Sequence, residues 1–247
     1  MPRLTVLILG GTTEARALAG ALSGFTVISS LAGRTTSPLL PAGEVRIGGF
    51  GGIDGLAAFV RERRVDVLVD ATHPFAERIS ANAAAAGRVA GVPLLALRRP
   101  GWREHAGDDW RRVPDLPAAA ALLPQLGRRI FLTTGRQEIS VFAGLDECWF
   151  LARSVEPPVP PMPRRLDVIL DRGPFTVDGE ARTLREHRVE VLVSKDSGGS
   201  DAKLVAARRL GIPVVLIDRP PAPKADATVE TVAEAVAWLE KARSSGR

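Results

Sequence analysis

Several short stretches of the chain hold glycines, hydroxyls and charges in an order suited to binding anions. The first is Gly10-Gly11-Thr12-Thr13-Glu14-Ala15-Arg16, directly after an apolar run at residues 4–9. Strand, tight glycine turn and helix in that order leave backbone N–H groups and the positive end of a helix facing whatever anion sits in the turn. A pyrophosphate suits such a turn, so Gly10, Gly11, Thr12 and Thr13 are candidate dinucleotide-binding residues. The run departs from G-x-G-x-x-G, because the second glycine follows the first at once and Ala15 stands at the last position. A plain β-to-α turn would use the same glycines.

A site for NAD usually carries an acid at the end of the second strand, where it bonds the ribose 2′-hydroxyl. The segment Ser29-Ser30-Leu31-Ala32-Gly33-Arg34-Thr35-Thr36 has none. Arg34 and Thr35 offer a guanidinium fork and a hydroxyl instead, which fit a 2′-phosphate and point to NADPH; a solvated loop arginine is the alternative. Further on, Asp70-Ala71-Thr72-His73-Pro74-Phe75-Ala76 places polar residues at the carboxyl end of a strand. Ligands of open α/β sheets bind there, which makes Thr72 and His73 candidate cofactor contacts beside Asp70. A helix-capping role for Thr72 and simple packing of His73 are the alternatives.

In the second half, Thr133-Thr134-Gly135-Arg136-Gln137 and Ser194-Lys195-Asp196-Ser197-Gly198-Gly199-Ser200 also follow apolar runs. The latter combines hydroxyls, an ammonium, a carboxylate and two glycines before a helix, a set fitted to carboxylates or phosphates; a plain turn with Ser200 as N-cap and Lys195 in solvent is the alternative. Arg153-Ser154 and Arg172-Gly173-Pro174-Phe175 add arginines beyond two more strand ends.

Absences narrow the chemistry. There is no tyrosine, so the Tyr-x-x-x-Lys acid of short-chain dehydrogenases cannot operate. G-x-S-x-G and Walker-type motifs are missing, and none of the three histidines lies in an H-E-x-x-H. The single Cys148 cannot form an internal disulfide, and no metal-ligand spacing occurs, so no metal is expected. The formal charge of +5 lies on scattered arginine pairs such as Arg98-Arg99 and Arg128-Arg129. That distribution favours a polyanionic small ligand over nucleic acid.

These residues must be positioned by regular elements. Apolar runs of strand length occur at residues 4–9, 25–29, 65–69, 93–97, 130–133, 148–152, 167–170, 189–193 and 213–217, and helix-period stretches at 13–22, 56–63, 75–90, 201–210 and 229–241 separate most of them. Runs apolar throughout suit strands covered on both faces, so the expected fold is α/β: two Rossmann-like lobes with mainly parallel sheets flanked by helices. The rhythm fails between residues 98 and 128, where prolines accumulate. This places a cofactor lobe at 1–110 and a second lobe at 128–247. The proline-rich 156–163 reads as a semi-rigid loop. No run approaches bilayer-spanning length, so the expectation is a cytoplasmic chain without membrane contact.

Taken in order, the motifs at Leu9–Arg16, Gly33-Arg34, Asp70–Ala76 with Ser80 and Asn82, Thr134–Gln137, Arg153-Ser154-Val155, Arg172–Phe175 and Ser194–Gly199 resemble the precorrin-6A reductases of the cobalamin pathway and their cobalt-precorrin counterparts. The resemblance covers nearly the whole chain. It implies an oxidoreductase that uses NADPH to convert precorrin-6A to precorrin-6B, with its active site between the two lobes. Arg136, Arg153, Arg172, Ser194, Lys195, Ser197, Gly198 and Gly199 would then bind the carboxylate fringe of the corrinoid macrocycle. Lys195 and Asp196 are the candidate proton donors, with water as the alternative source. A reductase of another substrate and a non-enzymic NADPH-sensing module are the competing readings.

Overall fold

A computed structural model describes residues 3–33 and 39–245. The chain divides into two compact units, one formed by Met1–Pro100 with Pro220–Arg247 and the other by Gly101–Arg219.

The first unit begins with β1 (Thr5–Leu9), α1 (Thr13–Ala21), β2 (Thr26–Leu31), β3 (Glu44–Ile47), α2 (Gly52–Glu62), β4 (Val67–Asp70), α3 (Glu77–Ala90) and β5 (Leu94–Leu97). The second unit holds β6 (Trp110–Val113), α4 (Leu116–Leu126), β7 (Arg129–Leu132), a 3₁₀ turn at Arg136–Phe142, β8 (Trp149–Ser154), β9 (Leu166–Leu170), α5 (Val177–Glu186), β10 (Val191–Lys195), α6 (Ala202–Leu210) and β11 (Val214–Ile217). The chain then returns to the first unit with β12 (Ala227–Val229) and α7 (Val232–Ser245).

Each unit is built on a six-stranded sheet, β12-β5-β4-β1-β2-β3 in the first and β6-β11-β10-β7-β8-β9 in the second. Every recorded pairing is parallel. Alternation along β1 sends Val6 and Ile8 to the face covered by α1 and α7, where they meet Leu18, Leu22 and Leu239. Leu7 and Leu9 face the other way, onto Leu56, Val60 and Ala83 of α2 and α3. Each such side chain, fully buried, stabilises the unit by about 1.5–3 kcal/mol. In the second unit Phe131, Leu151 and Leu192 pack similarly against Leu184 and Leu204.

The division differs from the expected lobes at 1–110 and 128–247. β6 lies after the first five strands yet pairs with β11 in the second sheet, whereas β12 lies after the second sheet yet pairs with β5 in the first. The reason is edge satisfaction. β5 has an open backbone edge, and Asp226 and Val229 complete it through Asp226 N–H to Leu94 O and Arg98 N–H to Val229 O. α7 adds Ala235 and Leu239 to the core over α1. The segment expected to be irregular also contains α4, capped by Asp115 accepting from Ala118 N–H at 2.8 Å. Pro117 sits in its first turn, where no N–H is needed.

Candidate functional site

In the first unit the opening strand β1, and in the second unit the second strand β7, lie inside the sheet, and the strand order reverses beside each, between β1 and β4 and between β7 and β10. A crevice forms at such a reversal, outside the carboxyl ends of the two strands. Among the described residues, Gly10–Thr13, Thr72 and His73 fall at the first of these places and Arg136 and Ser194–Gly199 at the second, while Arg153 and Arg172 stand at the ends of β8 and β9.

At the first reversal, Gly11 has φ +108°, a conformation that strains any L side chain, and a Cβ added there would meet nothing within 4 Å. The space before the turn is therefore open. Gly10 donates to Ser30 O at 2.9 Å, and its own absent Cβ would stand 3.2 Å from the Ala15 Cβ. That close approach explains a small residue at position 15. Thr12 is the N-cap of α1: its hydroxyl accepts from Ala15 N–H at 3.1 Å and donates to Ala71 O at 2.8 Å. This bond ties the glycine turn to the end of β4. What Thr12 and Thr13 present to an anion is thus main-chain N–H and the dipole of α1.

Asp70 is buried at the end of β4 and accepts from both the N–H and the hydroxyl of Thr72, at 3.1 and 2.6 Å. Thr72 Oγ1 lies 3.3 Å from Ser80 Oγ, so Thr72 is a link in a polar chain and does not cap α3, whose N-cap is Ala76. His73 accepts from Phe75 N–H through Nδ1 at 3.3 Å. The helix expected from residue 75 starts at Glu77, because a turn closed by Ala76 N–H to His73 O precedes it.

Five residues absent from the candidate set complete this hollow, which is lined by Thr12, Glu14, Thr72, Pro74, Leu97, Arg98 and Arg99. Arg99 holds Glu14 at 2.9 Å, and Arg98 approaches Asp70 at 3.4 Å. Arg98 Nε is buried without a hydrogen-bond partner among the described residues. Burial pushes the Glu14 carboxyl up, but the Arg99 guanidinium and hydrogen bonds from the Glu14 N–H and from Thr12 outweigh it, so the group lies below the usual carboxylate range. The signal for Arg98 and Arg99 was their position directly after the apolar run of β5. Arg34 and Thr35, the candidate 2′-phosphate contacts, lie outside the described residues; Gly33 before them has φ +70°.

At the second reversal, Ser194 is fully buried and Lys195 pairs with Glu138. Gly198 and Gly199 turn the chain with φ of 66° and 77°, and Ser197 Oγ lies 3.5 Å from Gly198 O. Arg136 binds Glu156 at 3.0 Å, and Arg172 follows β9, its N–H donating to Asp171 at 2.7 Å. Arg153, at the end of β8, is 10% exposed and bound by Glu180 at 2.7 Å, Glu180 being 2% exposed. Its guanidinium lies 3.6 Å from the Phe175 ring centroid and 5.2 Å from that of Phe131. Arg153 is therefore enclosed, whereas Arg136, Arg172 and the Lys195 loop stand along the carboxyl edge of neighbouring strands. Asp196 is 5% exposed and accepts from Arg112 Nη2 at 2.8 Å and Trp102 N–H at 3.0 Å. No sequence signal pointed to Glu138, Glu180 or Arg112.

Among the described residues, no group of three or more His, Cys, Asp or Glu side chains could hold a metal ion, and no helix is long and apolar enough to cross a membrane.

Comparison with known proteins gives a consistent answer. The chain is 56% identical over 239 residues to a precorrin-6A reductase from Rhodococcus erythropolis, with 95% of this chain and 96% of that one covered. It is 46% identical over 241 residues to a precorrin-6A reductase from Rhodobacter capsulatus, with 95% of each covered. A cobalt-precorrin-6A reductase from Salmonella typhimurium is 31% identical over 239 residues and 87% of each chain. A solved structure of CobK precorrin-6A reductase matches with a TM-score of 0.91 at 44% identity, covering 96% of each chain. Residues 5–240 fit the model of precorrin-6x reductase CbiJ/CobK, and the chain belongs to that family of oxidoreductases.

Proposed function

We propose that this chain reduces precorrin-6A to precorrin-6B with NADPH, in the assembly of the cobalamin ring. The observation that carries the cofactor half of this reading is the open glycine turn at the first reversal. Its positive φ at Gly11 and empty forward space, with α1 starting at Thr13, meet what a pyrophosphate needs. Gly10, Gly11, Thr12 and Thr13 would hold that group through main-chain N–H donors. Arg34 and Thr35 would take the 2′-phosphate, the feature that separates NADPH from NADH. Thr72 and His73, at the end of β4, line the continuation of the same edge.

When bound, the cofactor supplies a hydride. The protein's part is orientation: fixed strand ends and a capped helix hold the reactants in register, which can account for much of a rate enhancement. On the second unit, Arg136, Arg172, Lys195 and the main-chain donors of Ser197, Gly198 and Gly199 would meet the acetate and propionate groups of a corrinoid. Lys195 and Arg136 already hold carboxylates, those of Glu138 and Glu156, so substrate binding there is an exchange of partners. Arg153 acts from behind this edge by holding Phe175, and with it the segment that carries Arg172. Reduction also requires one proton, for which Lys195 and water are the available sources.

The test is an anaerobic assay of NADPH oxidation and product mass with metal-free and cobalt-bearing precorrin-6A. Turnover that depends on the tetrapyrrole is expected; NADPH binding without turnover of either substrate would leave a sensing module. Arg34→Ala should lower NADPH affinity by about one to two decades, as loss of a charge-assisted contact implies, with NADH little changed. Equal loss for both cofactors removes Arg34 from the site.

A further inference from the structure

Asp196 follows Lys195 at the end of β10, where a proton donor would be sought, yet both its carboxylate oxygens and both its main-chain groups are engaged elsewhere. Oδ1 accepts the Trp102 N–H at 3.0 Å and Oδ2 accepts Arg112 Nη2 at 2.8 Å. Arg112 is itself held by Asp218, at 2.7 Å through Nε and 2.6 Å through Nη2. The Asp196 N–H donates to Ile217 O at 2.9 Å, and its carbonyl accepts Arg219 Nε at 2.6 Å. Gly101 comes so near that a Cβ there would lie 3.1 Å from each carboxylate oxygen. Residues 101–102 and 217–219 are the first and last of the second unit, the segments by which the chain arrives and leaves. One of them also grips the neighbouring loop, because the Trp102 indole N–H donates to Gly199 O at 3.1 Å and Lys203 Nζ lies 5.0 Å from its ring centroid.

We propose that Asp196 is a positioning residue: its carboxylate and peptide group clasp both connecting segments to the end of β10, and through Trp102 they fix the Lys195–Gly199 loop before substrate arrives. The kinetic half of the inference rests on the reading of that loop as a carboxylate site; the clasp itself does not. A preset loop costs less ordering on binding, so loosening it should weaken the substrate complex more than it slows a bound substrate.

The experiment is hydrogen exchange on the full chain, with parallel kinetics, for Asp196→Ala, Asp196→Asn and Arg112→Gln. Alanine removes both acceptors. Asparagine keeps an acceptor for Trp102 N–H but loses the ion pair, and Arg112→Gln breaks the same pair from its more exposed side. Expected is exchange in 101–103 and 198–200 faster by about tenfold in Asp196→Ala, and by less in the other two, with the amides of Leu192 and Val215 unchanged. KM for precorrin-6A should rise while NADPH affinity and the pH profile of kcat stay as in the wild type. A kcat loss of about a hundredfold or more in Asp196→Asn, with a limb missing from the pH profile and wild-type exchange, overturns the proposal in favour of proton donation. Unaltered KM in Asp196→Ala overturns it too, and Lys195→Ala then locates the fault: if that variant also leaves KM unaltered, the loop is not a carboxylate site; if it raises KM, only the positioning role fails. Should Asp196→Ala not fold, Arg112→Gln alone decides between these outcomes.

Discussion

The two strand-order reversals share a topology and differ in what fills them. At the first, the turn after β1 is Gly10-Gly11, with open space before Gly11 and a nine-residue helix starting at Thr13. At the second, the turn after β7 leads into a short 3₁₀ segment, and charged groups already in pairs crowd the strand ends: Lys195 with Glu138, Arg153 with Glu180, Asp196 with Arg112. The first sets main-chain donors and open space at Gly11 beside two ion pairs, Arg99–Glu14 and Arg98–Asp70, and on the proposed function the turn meets a phosphate chain. The second sets side-chain cations held in place by acids, and on the proposed function these meet the separate carboxylates of the substrate. One fold thus carries a capped glycine turn at one reversal and a row of paired charged side chains at the other.

The comparison can be broken most forcefully at Glu180. Removing one partner of a buried ion pair leaves an uncompensated charge, so Glu180→Ala should cost about 3–5 kcal/mol and lower Tm by roughly 10 °C, read by calorimetry. Near-wild-type stability would mean that Arg153 is free to serve a ligand directly. Next in size is Gly11→Val, which forces a β-branched residue to positive φ and fills the space before the turn. NADPH affinity should fall by about two decades or more while unfolding stays cooperative, because the strain is only about 1–3 kcal/mol. Normal titration with this variant would place the cofactor elsewhere. Lys195→Ala should raise KM for precorrin-6A about tenfold, one charge-assisted contact, and leave NADPH affinity unchanged; the reverse pattern would exchange the ligands of the two sites.

The smallest effect is acid sensitivity in the first unit. Glu14 has a lowered pKa, since the Arg99 guanidinium and hydrogen bonds outweigh its burial. A group lowered on folding binds its proton more weakly in the native state, so its stabilisation is present in full above the unfolded value and is lost as pH falls through the folded one. The Tm difference between wild type and Glu14→Gln should therefore be constant near neutrality and shrink progressively below about pH 4. A difference independent of pH would remove Glu14 from the ion pair.

The central strands were legible because each is buried on both faces and so reads as an unbroken apolar run, as in Val67-Leu68-Val69 and Val191-Leu192-Val193. β3, β6 and β12 were not, for the complementary reason. All three lie at sheet edges, where charged residues such as Arg46, Arg111 and Arg112 are tolerated and even favoured. α4 was hidden by Pro117 and Pro124, read as breakers although the first occupies a helix start. The glycine turn was legible because strand, turn and helix are contiguous in sequence. The partners Glu180 and Arg112 were not, since Glu180 is 27 residues from Arg153 and Arg112 is 84 from Asp196, and only the fold brings each pair together.

The exchange of sixth strands has a consequence for synthesis. Ribosomes deliver chains from the amino end, and domains commonly fold in that order as they emerge. Here the order inverts. Gly101–Arg219 is contiguous and can close its sheet as soon as β11 is free, whereas the sheet begun by β1 must wait for β12 and α7. Until then the edge of β5 is unpaired and Leu18 and Leu22 lack the cover that Ala235 and Leu239 provide. A nascent chain released early would carry one finished unit and one sticky one, so any attempt to produce the first unit alone should join residues 1–100 to 220–247 by a short linker rather than truncate at residue 100.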